Sequence, residues 1–243
     1  MTRFWIGTSG WHYQHWRGNF YPRELPTREW LAYYSQEFPT VEINASFYRQ
    51  PKDSTWDSWY KTAPPGFRFA VKASRFLTHI RQLREPRDSL ERVLKGAHRL
   101  GDKLGPILYQ LPPSFHYSEE SVERLRALFA LLPRQQQHVL EFRDSSWFGE
   151  ETLTLLRKHR VAFCAFDMPG LECPLETTAD FGYMRFHGSG ERYGSNYTDD
   201  LLEEWSDRLR KAARDTDEFY VYFNNDAYGY AVANARKLRE MLP

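Results

Sequence analysis

The stretch VEINASFYRQP (residues 41–51) begins like a buried strand and continues into polar side chains. Val41 and Ile43 are β-branched and apolar, as residues of buried strands commonly are. Glu42 and Asn44 alternate with them, so these two polar side chains point to one face of the strand. Polar groups of one parity at the carboxyl end of a strand indicate that this end faces a polar site.

Seven other segments have the length and the apolar composition of buried strands. The eight predicted strands are RFWIGT (3–8), TVEIN (40–44), RFAVKA (68–73), PILYQL (106–111), HVLEFR (138–143), VAFCAF (161–166), GYMRFH (182–187) and EFYVYFN (218–224). Helical spacing of apolar residues fills the intervals between them, except in DMPGLECPLETTAD (167–180), which contains two prolines. The expected helix N-caps are Thr27, Asp53, Ser118 and Thr198.

This alternation predicts an α/β fold, a single (β/α)8 TIM-type barrel over residues 1–243, with the sixth helix short or missing. An open doubly wound sheet is the alternative architecture for such an alternation. The first strand, however, is followed by GTSGW and not by the G-x-G-x-x-G fingerprint of dinucleotide-binding sheets.

The composition limits the classes of partner. Lys and Arg number 33 and Asp and Glu 32, so the net charge of +1 provides no global field for nucleic acid or an anionic membrane.

The two cysteines, Cys164 and Cys173, form no disulfide framework or paired-cysteine metal motif. No apolar run reaches the roughly 18 residues of a membrane span, and no signal peptide is recognisable. We expect a cytoplasmic protein that has no membrane partner. The sequence predicts no particular oligomeric state.

Polar side chains follow most of the predicted strands at their carboxyl ends, where TIM barrels carry their active sites. The candidate catalytic residues are Glu42, Lys72, Glu141, Asp167 and His187. The candidate substrate-binding residues are Asn44, Tyr48, Gln110, Arg143, Arg185, Gly188, Gly190, Asn224, Asn225 and Asp226. The competing interpretation is that these charges form a structural salt-bridge network that caps the barrel without chemistry.

These residue types suit acid–base chemistry on a small polar or anionic ligand, whose carboxylate or phosphate the arginines would bind. Glu141 or His187 is the expected proton carrier, since histidine titrates closest to neutral pH. The glycine-rich loop HGSGERYGSNY (187–197) follows the seventh predicted strand, a position where barrels often bind phosphate. Lys72 is expected to neutralise Glu42, and Schiff-base chemistry at its amine is the alternative.

Several long motifs occur along almost the whole chain in one order. They are GTSGW (7–11), GNFYP (18–22), VEINASFYR (41–49), FRFAVKA (67–73), THI (78–80), EFRDSSW (141–147), YMRFHG (183–188) and VYFNNDAYGYAVANA (221–235). Together they resemble the domain-of-unknown-function 72 family, the YecE-like proteins. This resemblance implies a TIM-type barrel, but it implies no activity, substrate or catalytic residues.

Three further functions fit parts of the sequence. No cofactor is predicted, but Glu141, Asp167 and His187 on neighbouring strands could hold a divalent metal, as in a phosphoester hydrolase of the endonuclease IV type. A glycosidase would need two carboxylates and exposed aromatic platforms, for which the tryptophans Trp11, Trp16, Trp56 and Trp147 are candidates. A nucleic-acid-binding module would use the basic run SRFLTHIRQLREPR (74–87) together with Arg49, Lys52, Trp56 and Trp59.

Overall fold

Eight parallel strands close into one barrel, in which each strand pairs with its neighbours in chain order and the last pairs with the first. The computed structural model describes residues 2–190 and 193–242. The strands are β1 (Arg3–Ser9), β2 (Thr40–Ile43), β3 (Arg68–Lys72), β4 (Leu104–Gln110), β5 (His138–Glu141), β6 (Ala162–Asp167), β7 (Phe181–Phe186) and β8 (Glu218–Phe223). The predicted TIM-type barrel is therefore confirmed, with strand limits that differ by at most two residues.

Helices surround the barrel in the intervals between strands. They are α1 (Trp30–Glu37), α2 (Ala45–Tyr48), α3 (Asp53–Thr62), α4 (Arg87–Ala97), α5 (Glu119–Phe129), α6 (Glu150–His159), α7 (Asp199–Ala212) and α8 (Tyr230–Met241). Residues 168–180, all of which the structure describes, contain no helix, as the sequence predicts. Pro169 and Pro174 lie in this interval and lack the N–H that a helix interior needs. None of the described helices is long and apolar enough to cross a bilayer.

The alternation of side chains along each strand produces two apolar clusters. Trp5, Leu108 and Val139 point into the barrel, where they form a compact interior cluster with other inward residues. Neighbouring residues of opposite parity, such as Ile6 and Ile107, pack against the helices in the larger outer cluster. Most inward positions beyond the interior cluster, toward the carboxyl ends of the strands, are occupied by polar and charged residues such as Glu42, Glu141 and Arg185.

The turn after β1 brings an aromatic residue over this polar end. Gly10 has a φ of +93°, and its amide donates to the Glu42 carbonyl at 2.9 Å. A Cβ atom at Gly10 would lie 2.7 Å from the Tyr13 hydroxyl, so the turn needs glycine for space as well as for conformation. The Tyr13 hydroxyl donates to the Ser9 carbonyl at 2.6 Å, which fixes the ring beside the carboxyl end of β1.

Two of the four expected N-caps have the hydrogen bond that defines a cap. Ser118 Oγ accepts from the Ser121 amide at 3.2 Å, and Thr198 Oγ1 accepts from the Leu201 amide at 3.3 Å. The prediction is wrong for Asp53 and Thr27. Each is the first residue of its helical segment, and neither segment has a side-chain cap bond.

We expect Thr198→Ala to lower the free energy of unfolding by about 1 kcal/mol, because it leaves a helix N–H without its acceptor. Thr27→Ala is the matched control and should change stability by less than about 0.5 kcal/mol. Urea denaturation followed by circular dichroism measures both changes. Equal losses in the two variants would contradict the assigned cap.

Candidate active site

Two buried carboxylates share one buried guanidinium group in the barrel. Arg185 Nη2 donates to Glu42 Oε1 at 2.8 Å, and Arg185 Nη1 donates to Glu141 Oε2 at 2.7 Å. All three side chains are at most 1% exposed. Glu42 also accepts hydrogen bonds from the hydroxyls of Ser9 at 2.6 Å and Tyr183 at 2.7 Å. Such dense pairing is what allows ionised groups to remain buried.

A second guanidinium group extends this network to the histidine of the seventh strand end. Arg143 Nε donates to Glu141 Oε1, and Arg143 Nη2 donates to His187 Nε2 at 2.7 Å. A guanidinium cannot accept a hydrogen bond, so His187 Nε2 carries no proton here. His187 Nδ1 lies 3.2 Å from the side-chain amide of Asn224. Both ring nitrogens are thus engaged, and this geometry does not support His187 as the proton carrier.

Glu141 is held in its ionised form by the surrounding cations. Burial alone raises the pKa of this carboxyl, but Arg143, Arg185 and Lys72 outweigh it and lower the pKa to about 2. A carboxylate that stays ionised across the neutral range is a poor general acid or base. The expectation that Glu141 carries a proton is therefore not supported.

Lys72 is the charged residue that stands apart from the network. It is the last residue of β3 and is 9% exposed. Within the described part of the chain its amine makes no hydrogen bond and no ion pair, so the expected pairing with Glu42 is wrong. Glu42 already accepts three hydrogen bonds from other donors. The Lys72 amine instead lies 4.1 Å from the centre of the Phe47 ring.

The opening stretch VEINASFYRQP positions this lysine. The short helix α2 places Ser46 and Phe47 against the end of β3, and Ser46 Oγ donates to the Lys72 carbonyl at 2.7 Å. The Phe47 ring forms one wall around the Lys72 side chain. One segment therefore supplies Glu42 to the network and the aromatic contact to the amine.

The charge of Lys72 is not needed to balance the network. The carboxylates of Glu42 and Glu141 are matched by the guanidinium groups of Arg143 and Arg185, so an ammonium group would add an uncompensated positive charge. Burial, followed by the nearby Arg185, lowers the pKa of Lys72 to about 7, although the two carboxylates oppose the shift. A large fraction of the amine is consequently unprotonated at neutral pH.

A cavity of about 460 Å³ opens above this amine. Its lining combines residues of β-strand ends with residues of the loops, and these are Tyr13, His15, Asn44, Tyr48, Lys72, Tyr193, Asn224, Asp226 and Ala227. Asp226 accepts from Trp16 Nε1 at 2.8 Å and pairs with His15 Nε2 at 2.8 Å, while burial raises its pKa. The side-chain oxygen of Asn44 is buried and has no partner among the described residues. The cavity therefore contains an amine, a carboxyl group and amides at one opening.

The match to known proteins covers almost the whole chain. The family model described as "Protein of unknown function DUF72" matches residues 5–243. The chain belongs to the DUF72 family. The resemblance predicted from the sequence motifs is confirmed by this match.

Relatives of this DUF72 protein are known in sequence and in structure. The UPF0759 protein YunF of Bacillus subtilis (strain 168) is 28% identical, over 98% of this chain and 94% of YunF. The crystal structure of a DUF72 family protein (TM1631) from Thermotoga maritima has a TM-score of 0.91 and 32% identity, over 98% of each chain. A DUF72 family protein (EF0366) from Enterococcus faecalis has a TM-score of 0.86 at 21% identity, over 100% of this chain and 95% of the other. The last likeness shows the shared fold alone.

Asp167 does not join the other candidate residues of this DUF72 barrel. Cys164 points into the barrel, so Asp167, three residues later, points to the outer face. Its Oδ2 accepts from the Tyr197 hydroxyl at 2.7 Å, and its side chain lines a separate cavity with Trp205 and Arg208. The prediction that Asp167 belongs to the site at the barrel mouth is therefore corrected, because its side chain lies on the outer face of the sheet.

The amides of the two candidate glycines in the loop after β7 already have hydrogen-bond acceptors. The Gly188 amide donates to the Tyr197 hydroxyl at 3.0 Å, and the Gly190 amide donates to Ser195 Oγ at 2.8 Å. Residues 191 and 192 of this loop lie outside the described residues. The expected anion site at Gly188 and Gly190 is therefore not supported.

Two other candidates lie near the mouth but differ in role. Asn225 Nδ2 donates to Asn234 Oδ1 at 2.8 Å and to the Ser195 carbonyl at 3.0 Å, so it ties the loop before α7 to α8. Gln110 is buried at the end of β4, where its backbone pairs in register with Glu141. Its side chain has no hydrogen-bond partner among residues 2–190 and 193–242, so its amide is available at the strand end.

The described residues add no support to the metal and glycosidase hypotheses. Glu141 and His187 are both bound by Arg143, and Asp167 faces the other side of the sheet. Across the described ranges, no group of three or more His, Cys, Asp and Glu side chains is arranged to hold a metal ion. The four tryptophans considered as platforms for sugar rings are at most 7% exposed, so they pack in the core instead. They are Trp11, Trp16, Trp56 and Trp147.

We expect the free energy of unfolding to change in opposite directions when Arg185, which is paired with carboxylates, and Lys72, which is not, are replaced. Arg185→Met should lower the free energy of unfolding by about 3–5 kcal/mol, because it leaves two buried carboxylates without their shared partner. Lys72→Met should raise it by up to a few kcal/mol at pH 6, because the native fold disfavours the ammonium form.

The sign of the Lys72 effect sets its pH dependence. The pKa of Lys72 is lower in the folded protein than its ordinary value of 10.5, so the gain from Lys72→Met should be largest below pH 7 and vanish as the pH approaches 10.5. Guanidinium denaturation at several pH values measures this, with the exposed Lys61→Met as control. Destabilisation by Lys72→Met at pH 6 would show that its ammonium group is a structural partner after all.

Proposed function

We propose that this DUF72 protein is an enzyme with an acid–base site at the barrel mouth, where the Lys72 amine adds to the carbonyl carbon of a small polar substrate. The observation that supports this most directly is a buried amine that makes no hydrogen bond and no ion pair within the described residues and lines an open cavity. Amines in such surroundings are the ones that proteins use for Schiff-base chemistry. The cavity volume of about 460 Å³ suits a small molecule.

The proposed step conserves atoms and charge. The nitrogen of Lys72 bonds to the carbonyl carbon, the carbon–oxygen bond then breaks, and water leaves with one proton from the amine and one from an acid. Asp226 lines the same cavity, and its raised pKa suits it to supply that second proton. The resulting iminium ion withdraws electrons from the adjacent carbon, which suits lyase or isomerase chemistry.

The buried network has a supporting part in this proposal. Arg185 and Arg143 neutralise Glu42 and Glu141, which leaves neither carboxylate free to form an ion pair with the amine. Arg185 also repels a proton on Lys72. Arg185 is thus a positioning residue, because it acts on the reaction through the charge state of Lys72.

We expect reductive trapping to label Lys72 before other lysines. Incubation with small carbonyl compounds such as glyceraldehyde or pyruvate, followed by borohydride, should add the reduced group to the peptide that contains Lys72, as measured by mass spectrometry. Lys72→Met should lose this label, whereas Lys61→Met should keep it. Labelling spread evenly over exposed lysines, with no preference for Lys72, would argue against the proposal.

The pH dependence of the trapping rate provides a second test. For Lys72 the rate should reach half its maximum near pH 7, whereas exposed lysines should still gain reactivity up to their ordinary pKa of about 10.5. Arg185→Gln should move the Lys72 midpoint upward, because it removes a nearby positive charge. Arg134→Gln, at an exposed position, is the control. An unchanged midpoint in folded Arg185→Gln would refute the positioning role.

A further inference from the structure

A second, smaller cavity of about 240 Å³ lies beside the barrel mouth and is lined by three arginines. Arg49 follows α2, Arg75 precedes the helical turn Phe76–Ile80, and Arg92 lies in α4. Three separate elements thus bring guanidinium groups to one cleft, which we call the arginine cleft. None of the described residues that line the cleft is acidic.

The charges of the arginine cleft are not neutralised by the protein. In the part of the chain that the structure describes, the guanidinium groups of Arg49, Arg75 and Arg92 make no ion pair and no hydrogen bond. Some arginines elsewhere are neutralised by the protein; Arg99, for example, pairs with Asp57 at 2.6 Å. Like charges that share a cleft repel one another unless an anion lies between them.

The rest of the lining suits an anion carried by a small organic molecule. Ser74, Ser89 and Gln50 add neutral polar groups to the cleft. Phe76 and Ile80, which are 46% and 58% exposed, add apolar surface at the same place. Guanidinium groups bind phosphate oxygens in two places at once, and neighbouring hydroxyl and amide groups can donate to the remaining oxygens.

We propose that the arginine cleft binds the phosphate group of a small phosphorylated molecule. The loop after β7, where barrels often bind phosphate, has the amides of Gly188 and Gly190 already engaged by hydroxyl groups. The arginine cleft offers instead a set of charged donors without partners in the described residues. A volume of about 240 Å³ accommodates a phosphate group with little more than a short chain attached.

The position of the cleft also narrows the substrate class, in a step that depends on the function proposed for Lys72. Tyr48 lines both the arginine cleft and the cavity above Lys72. Phe47 lines the cleft, while its ring lies 4.1 Å from the Lys72 amine. A phosphate in the cleft would therefore bring an aldehyde or ketone group of the same molecule toward the amine. The substrate class is a phosphorylated aldehyde or ketone.

A small phosphate ester fits these observations better than a nucleic acid strand. The net charge of the chain is +1, and a neighbouring surface cavity is lined by Asp88, Glu91, Arg92 and Lys95, whose charges cancel. That surface adds no net positive charge for the extended backbone of a strand, whereas a single phosphate needs only the cleft. An oligonucleotide is accordingly the competing ligand in the experiment.

Calorimetric titration of the full chain with inorganic phosphate tests the cleft itself. We expect saturable binding that weakens as sodium chloride is added, and a loss of about tenfold or more in affinity in the double variant Arg49→Ala/Arg75→Ala. Arg134→Ala should bind as the unmodified protein does. Absence of saturable binding, or equal affinity in the double variant, would overturn the proposal. Tighter, arginine-dependent binding of a short single-stranded oligonucleotide would also overturn it, in favour of nucleic acid.

Trapping experiments separate the cleft from the chemistry of Lys72. Glyceraldehyde 3-phosphate should label Lys72 faster than glyceraldehyde does, and this advantage should disappear in the double variant. If neither aldehyde labels Lys72 while phosphate still binds, the function proposed for Lys72 fails and the anion site stands. If glyceraldehyde labels Lys72 with no advantage for its phosphate, the proposed substrate class fails and the Lys72 chemistry stands.

Discussion

The balance of charge inside the barrel is the constraint on which the mouth of this protein depends. Glu42 and Glu141 are fully buried, and such carboxylates are tolerated only where cations pair with them. Arg143 and Arg185 supply that pairing, and they do so with nearly all of the carboxylate oxygens engaged. The two carboxylates and the two guanidinium groups already pair with one another. A further buried cation therefore has no carboxylate left to pair with. The low pKa of Lys72, the fifth buried group, follows first from its burial and then from the nearby charge of Arg185.

Much of this arrangement could be predicted from the sequence because strand parity is strict. The period of two along TVEIN and YMRFH places Glu42 and Arg185 on inward faces, and the structure brings the two side chains together. The same rule, applied from Cys164, would have placed Asp167 on the outer face. The sequence interpretation took Asp167 only as the end of its strand, without counting parity from an inward residue. Both faces of VAFCAF are apolar, so the sequence alone does not show which parity of this strand points inward.

Other features could not be predicted because they depend on loop paths and on the choice among partners. Tyr13, His15 and Phe47 reach the mouth from turns and a short helix, where no periodicity fixes the direction of a side chain. The sequence also cannot show which cation pairs with which carboxylate. Lys72 could have neutralised Glu42, but Ser9, Tyr183 and Arg185 occupy that carboxylate. The freedom of the amine is a property of the assembled network.

The two interpretations that competed at the sequence level therefore apply to different residues. The structural salt-bridge network consists of Glu42, Glu141, Arg143 and Arg185. Removing one of these side chains leaves a buried charge without its partner. The proposed reactive site rests on Lys72, whose lowered pKa predicts a cost in stability. A residue that weakens the fold while lining an open cavity is hard to explain by packing alone, since an apolar side chain would serve the core better. The network gives structural support, and the unpaired amine is the place to look for chemistry.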